Sequence, residues 1–179
     1  PIGKKGGASL KISAQEEYGF RCILQIAAYK GEKPLAAAEI AEAEGLSVPY
    51  VNKLLNILKR AGLVMSVRGV NGGYKLSRSL DKITSADVLK ALNGLLFSPD
   101  FCKCFTGRRV QCVHYSKSCT IRSVWSVLSE HIEGVLSEMT LEDLVEKKEP
   151  FVVNLMRLKF GEQALRSGNR ILKERMVGA

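Results

Sequence analysis

Apolar residues recur at helical spacing through the first third of the chain. Their positions predict a helix over 14–30 and a shorter, Ala-rich helix over about 35–44. Gly45 ends the second segment, because glycine readily takes the left-handed conformation found at helix ends. Ser47 is a favourable N-cap for a third helix over 48–61, whose apolar positions form a single stripe.

Two β-prone runs follow the third predicted helix and surround a Gly-rich centre. They cover 63–68 and 74–77, and this pattern predicts a β-hairpin. Helix, short helix, glycine turn, helix and hairpin is the order of a winged helix-turn-helix. A further helix is predicted over about 84–93, so we expect a DNA-binding domain over 11–95.

The C-terminal part carries a heptad pattern, which predicts a long helix in a region we place at 121–149. Its seam residues, spaced 4, 3, 4, 3 and 4 positions apart, are Ile121, Trp125, Leu128, Ile132, Val135 and Met139. Such a seam either packs on its own domain or pairs with a second copy. We favour dimerisation, because DNA-reading domains of this size commonly act with a two-fold partner. The overall fold class is therefore mainly α, with a winged helix-turn-helix, a cysteine-bearing loop and a long dimerisation helix.

Composition narrows the class of protein. The chain has 179 residues, of which 46% are hydrophobic, a composition that argues against wholesale disorder. No apolar run approaches the roughly 18 residues of a membrane span, and no secretory signal opens the chain, so we expect a cytoplasmic protein without a membrane partner. We expect residues 1–10 to be a flexible leader and 150–179 a C-terminal extension.

Positive charge is concentrated in one part of the chain. The sequence has 27 Lys and Arg against 18 Asp and Glu, a net charge of +9. Residues 46–78 carry six basic residues and no acidic one, whereas the preceding predicted helix carries three glutamates. A solvated surface is one interpretation, but segregation this sharp favours a surface for phosphate. We therefore predict that the third helix enters the DNA major groove and the hairpin tip the minor groove.

Candidate DNA contacts fall into two groups. Asn52 can bond adenine bidentately, Lys53 can reach guanine or phosphate, and Tyr50 can stack or donate to phosphate. Glycines in the hairpin allow close approach of its backbone to the DNA. The helix group is Ser47, Pro49, Tyr50, Asn52 and Lys53, and the hairpin group is Arg68, Gly69, Asn71 and Gly72.

Four of the five cysteines lie close together in a predicted loop over 96–120. They are Cys102, Cys104, Cys112 and Cys119. Cys22 stands apart in the first predicted helix, and we expect it to be a buried core thiol. Their spacing matches neither a zinc ribbon nor a ferredoxin. Three thiolates with a fourth ligand from elsewhere fit an iron–sulfur cluster, whereas a zinc ion held by all four cysteines and four unliganded thiols are the alternatives.

The chain resembles the IscR/NsrR/RirA-type iron–sulfur transcription regulators, the Rrf family, over about residues 11–145. The matching segments are Lys11-Ile12-Ser13 with Tyr18, residues 47–55, Gly62 to Val64, Arg68-Gly69, Gly72 to Tyr74, residues 83–88 and Cys119 to Trp125. The resemblance implies a winged-helix domain joined by a long helix to its dimer mate. It also implies that the loop cysteines hold a [2Fe-2S] or [4Fe-4S] cluster.

The resemblance also assigns cluster ligands. Cys119 matches the last cysteine of the family motif, Cys112 the middle one, and Cys104 is the preferred match to the first. Glu17 occupies the place from which some members supply an acidic fourth ligand across the dimer. The choice between Cys104 and Cys102 stays open, and Cys102 and His114 are alternatives to Glu17 as fourth ligand.

Together these observations predict a homodimeric transcriptional regulator that binds a palindromic site in double-stranded DNA. The resemblance implies that its affinity is controlled by an iron–sulfur cluster that senses redox, iron or nitric oxide status. A zinc-stabilised winged-helix protein without a sensing cluster is the alternative. A metal or redox enzyme is disfavoured, because the chain has only two histidines and no evident nucleophile–base pair.

Overall fold

The N-terminal helix, α1 (Ala14–Ala28), begins at a complete capping box. The Ser13 hydroxyl accepts from the Glu16 N–H at 3.2 Å, and the Glu16 carboxylate accepts from the Ser13 N–H at 2.6 Å. The inner face of α1 buries Cys22 and Ile23 completely. The computed structural model describes residues 12–69, 72–92 and 119–146.

The helix-turn-helix consists of α2 (Ala37–Glu44) and α3 (Val48–Arg60). Gly45 ends α2 in the left-handed conformation, with a φ of 64°, which confirms the predicted glycine turn. Ser47 stands at the N-cap of α3 as predicted, but its side chain makes no capping hydrogen bond. The fully buried stripe of α3, which packs against α1 and α2, is Val51, Leu54, Leu55 and Leu58.

The wing is an antiparallel pair, β1 (Val64–Val67) and β2 (Gly73–Leu76), in which Val64 pairs with Leu76. Leu35 pairs with the other side of β2 as an isolated antiparallel bridge. Its backbone exchanges hydrogen bonds of 3.0 and 2.8 Å with Tyr74. The prediction of helix from about residue 35 is therefore wrong at its start. The backbone of Leu35 is committed to the sheet, and α2 begins two residues later.

Three elements follow a short 3-10 helix at Leu80–Lys82: α4 (Ser85–Ala91), α5 (Thr120–Ser137) and α6 (Leu141–Val145). A capping box of Thr84 and Asp87 opens α4. The seam prediction is wrong at Met139, which lies beyond the end of α5. The backbone there pairs instead with the start of α4, because the Ser85 N–H donates to the Met139 carbonyl at 2.7 Å.

One hydrophobic cluster joins these elements. Leu141 of α6 is completely buried in it, and its N–H donates to the Ile83 carbonyl at 2.9 Å. The short helix α6 therefore returns to the winged-helix domain and packs against α1. Within the described residues the protein is mainly α-helical with one two-stranded sheet, as predicted. Of the helices in these ranges, none is long and apolar enough to cross a membrane.

Candidate nucleic-acid interface and cysteine loop

The exposed face of α3 lies opposite its buried stripe. Because side chains three and four positions apart share one face of a helix, its outward residues form a continuous row. That row, with every member exposed, is Pro49, Lys53, Asn56 and Arg60. It carries two positive charges, a proline in the first turn and one amide, and no carboxylate.

Two of the α3 residues predicted to contact DNA are half-buried. Tyr50 is half-buried and meets the edge of the Tyr18 ring, with the ring centroids 6.2 Å apart. Asn52 is also half-buried, and its Oδ1 accepts from the Tyr74 hydroxyl at 3.5 Å. Both side chains therefore have roles within the fold, Tyr50 against α1 and Asn52 against the wing.

Arg68 and Gly69 lie exposed where the wing turns after β1, and Asn71 lies outside the described residues. Gly69 has a φ of 119°, a backbone conformation that L side chains rarely adopt. A Cβ at Gly72 would lie 2.6 Å from the Val67 carbonyl oxygen. At Gly69 and Gly72, glycine is therefore required by the backbone of the hairpin itself. The sequence prediction explains these glycines only by the close approach of the wing to DNA.

The basic side chains of α3 and the wing are held largely by neutral oxygens. Lys59 donates to the Ser66 hydroxyl and Lys75 to the Glu32 carbonyl, both at 2.7 Å, and neither contact neutralises the charge. Arg78 lies 3.9 Å from Asp87. Of the basic residues over 46–78, it is the one with a carboxylate partner among the residues that the structure describes. Within the described ranges, Lys53 and Arg68 have no such partner. The surface therefore keeps its positive charge.

The candidate DNA contacts predicted from the sequence did not include Asn56 or Arg60, although Arg60 is one of the six basic residues counted over 46–78. Together they continue the exposed row of α3 by about two turns beyond Lys53. The helical period alone could have found them, because Asn56 follows Lys53 by three positions and Arg60 follows Asn56 by four.

Cys119 stands at the N-cap of α5, half-buried and without a disulfide. Cys102, Cys104, Cys112 and His114 lie outside the described residues. In the ranges that the structure does describe, no three His, Cys, Asp or Glu side chains come together as a metal site.

Glu17, the proposed fourth ligand, lies on the exposed side of α1. Arg21 donates through Nε to its Oε1 at 2.8 Å, and the second guanidinium nitrogen lies 2.6 Å from the same oxygen. This contact raises the pKa of Arg21. Arg21 also lies 3.8 Å from Glu44 and over the Tyr18 ring. The Glu17 side chain remains 46% exposed beside this contact.

The N-terminal half of α5 exposes a broad apolar face. Ile121 is 65% exposed, Trp125 45% and Leu128 40%, although these are the large residues that normally lie inside a protein. A groove of about 560 Å³ runs beside this face, and its lining includes Val124 and Val127. The side of α5 that contacts α4 is polar instead, with an ion pair between Glu133 and Lys90. Among the described residues, the N-terminal part of the predicted seam therefore does not pack on its own domain.

A helix-turn-helix followed by a basic, acid-free wing is the architecture of winged-helix DNA-binding proteins. A family profile named Rrf2, described as an iron-dependent transcriptional regulator, matches residues 12–147. The chain belongs to this family.

Individual relatives agree with that assignment. The transcriptional regulator IscR of Photorhabdus laumondii is 33% identical over 140 residues, which cover 78% of this chain and 82% of the relative. Among solved structures, T. potens IscR is 34% identical with a TM-score of 0.60, covering 80% of this chain and 91% of that one. CymR, the global cysteine regulator of B. subtilis, is 32% identical with a TM-score of 0.59, covering 78% and 98%. The predicted class, a DNA-binding transcriptional regulator and not an enzyme, is confirmed by the family and these names.

Proposed function

We propose that this regulator is a cytoplasmic homodimer that binds a palindromic DNA site with an affinity controlled by an iron–sulfur cluster. The observation that carries the DNA-binding part is the exposed basic surface of α3 and the wing, which has no acidic residue over 46–78. Nucleic acid is the polyanion that fits a helix and hairpin arranged in this way.

In this proposal α3 lies in the major groove and Arg68 enters the minor groove beside it. Lys53, exposed near the start of α3, contacts guanine or phosphate. Ser47 and Pro49 form the end of α3 nearest the base edges. Gly69, Asn71 and Gly72 bring the wing backbone close to the sugar-phosphate chain. Tyr50 and Asn52 set the position of α3 and present their polar atoms at its edge.

The exposed apolar face of α5 supports dimerisation. Burying Ile121, Trp125 and Leu128 against a second copy removes from water a face that the single chain leaves open. A two-fold dimer places its two reading helices in half-sites about one helical turn apart, so the site it binds is a palindrome. A change in the angle of α5 would alter that separation and weaken both contacts together.

Cys104, Cys112 and Cys119 are the proposed thiolate ligands, and Glu17 of the second subunit is the fourth. Two observations fit this assignment: the Cys119 thiol forms no disulfide at the start of α5, and the Glu17 side chain is exposed. When bound, the cluster supplies a group whose oxidation state and integrity respond to redox change, iron supply or nitric oxide. Cys119 connects the loop that holds it directly to the dimerisation helix.

Anaerobic purification followed by iron, sulfide and zinc analysis tests the cluster. We expect iron and acid-labile sulfide in the wild-type protein, and their loss in Cys119→Ala. Cys22→Ala is the matched control, because Cys22 is completely buried in the core and is not among the proposed ligands. A zinc content of one per chain without sulfide would contradict the cluster and would indicate a structural zinc site instead.

DNA binding is measured on the same preparations with a randomised duplex library, before and after removal of iron by a chelator. We expect the wild-type protein to select a palindrome and its affinity for that site to change when iron is removed. An unchanged affinity would remove the sensing role, and failure to select any sequence would remove the proposed specificity.

A further inference from the structure

Among the residues of α3, Asn56 has the geometry of a base-reading side chain. At about 100° per residue, it lies within about 30° of the direction opposite the buried stripe. It is exposed, and in the described structure its side-chain amide makes no hydrogen bond. Both its donor and its acceptor are therefore available to a ligand.

Asn52 differs from Asn56 in all these respects. It lies about 70° from the outward direction on the same wheel and leans towards the wing. It is half-buried, and its Oδ1 is already engaged by the Tyr74 hydroxyl. An asparagine that reads adenine bidentately uses its amide oxygen and nitrogen together, and the half-burial of Asn52 limits the access of both atoms to a base edge. Asn52 is better placed to hold α3 against the wing.

The neighbours of Asn56 provide charge on both sides along α3. Lys53 precedes it by one turn, and Arg60 follows by one turn, with its Nε donating to the Asn56 carbonyl at 3.4 Å. Asn56 is seven residues from Pro49, or about 10 Å along the axis, so it lies two turns into α3 on the same face as Pro49. A helix held in the groove by these cations presents the amide to the base edges.

We infer that Asn56 is a specificity-determining residue that recognises an adenine in each half-site through its amide. Asn52 acts as a positioning residue that braces α3 on the wing. This inference rests on the proposed sequence-specific DNA binding and assigns one base contact within it.

The test compares selected DNA sequences for the full-length wild type, Asn56→Ala, Asn56→Gln and Asn52→Ala, each purified anaerobically. Affinities are then measured for the selected duplex and for duplexes changed at one base pair in each half-site. For Asn56→Ala we expect the preference for adenine at one position to fall by about tenfold or more, with other positions unchanged. Because Asn56 is exposed, the Asn56→Ala variant should unfold at the same temperature as the wild type. Ser137→Ala, an exposed change at the end of α5, is the control.

Several outcomes overturn the inference. An unchanged sequence preference in Asn56→Ala excludes base recognition by this side chain. A loss of affinity that is uniform over all duplexes assigns Asn56 to the DNA backbone instead. Loss of the adenine preference in Asn52→Ala, and not in Asn56→Ala, transfers the role to Asn52. If the wild type selects no sequence, the proposed function itself fails, which is a result distinct from these three.

Discussion

Gly73 lies where the wing meets the segment that joins α1 to α2. A Cβ at this position would lie 2.7 Å from the carbonyl carbon of Leu35 and closer still to its oxygen. Since the contact is with backbone, a rotamer change cannot relieve it. We expect Gly73→Ala to lower the free energy of unfolding by about 1–3 kcal/mol, as overpacking does elsewhere. Urea denaturation measures this change.

Gly62→Asn is the comparison for that substitution. Gly62 has a φ of 71°, a conformation that asparagine tolerates, and a Cβ there meets no atom within 4 Å. This variant should stay within about 0.5 kcal/mol of the wild type. If Gly73→Ala is equally benign, the close approach to Leu35 has no energetic importance.

Cys22 is a buried thiol whose environment disfavours ionisation. Burial, with a smaller contribution from the Glu44 carboxylate, raises the pKa of Cys22 to about 11. Because the thiol ionises at a lower pH when the chain is unfolded, its stabilising contribution is complete below the unfolded pKa and is lost as pH rises through about 11. We expect stability to fall by about 1 kcal/mol per pH unit between about pH 9 and pH 11 from this group.

Urea unfolding of the wild type and of Cys22→Ala across that pH range isolates the contribution of the thiol. The variant should show a shallower decline, since lysines and tyrosines titrate equally in both proteins. Mass spectrometry after alkylation at pH 8 adds a second readout, in which Cys22 should stay unmodified in the native wild type. Parallel pH profiles for the two proteins would contradict the expected role of burial.

At the scale of elements, α5 combines an exposed apolar face with a polar face towards its own domain. We expect Leu128→Glu to leave the fold of the single chain intact, because Leu128 is 40% exposed there. A charge in a buried interface should weaken self-association by about 2 kcal/mol or more, since residues at interface centres carry most of the binding energy. Analytical ultracentrifugation over a concentration series measures the dissociation constant, and circular dichroism checks the fold.

Ser137→Glu introduces the same charge on the opposite side of α5. The two positions are nine residues apart, or about 180° around the helix, and Ser137 is exposed. This variant should associate like the wild type. Equal weakening by both substitutions would point to a general effect of charge, and no weakening by Leu128→Glu would exclude this face as the dimer interface.

The helices could be predicted from the sequence because residues within or next to each helix mark where it begins or ends. Gly45 marks the end of α2, and the Thr84–Asp87 pair marks the start of α4, so their bounds differ from prediction by few residues. The strand position of Leu35 could not be predicted. Its only signal is a pairing with Tyr74, 39 positions further along, and one residue carries no periodic pattern.

In the candidate site too, some features could be predicted from the sequence, whereas others depend on contacts with distant parts of the chain. The basic character of α3 and the wing is visible in the sequence, because charge does not depend on the neighbours that the fold supplies. The half-burial of Tyr50 and Asn52 is not visible, since it depends on Tyr18 and Tyr74 from other elements. The resemblance to a family supplied the ligand assignment of Glu17, whereas its contact with Arg21 follows from helical spacing of four.

At the scale of the whole molecule, the net charge of +9 matters through its uneven distribution. Each protomer presents cations that are free to replace the counterions of DNA, and a two-fold dimer presents every one of them twice. The salt dependence of DNA affinity therefore reports both the number of phosphate contacts and the number of protomers that make them.

Lys53→Ala uses this relation to test the assembly on DNA. Each lost phosphate contact should reduce the slope of log affinity against log salt by about 0.9, so a dimer should lose about 2 and a single bound chain about 1. Lys82→Ala removes the same charge from a lysine that lies 3.4 Å from Asp81, and it should leave the slope unchanged. Fluorescence anisotropy with the selected duplex at several salt concentrations measures all three slopes. A fall of about 2 for Lys53→Ala alone would place α3 of both protomers on the DNA, whereas no change would remove Lys53 from the interface.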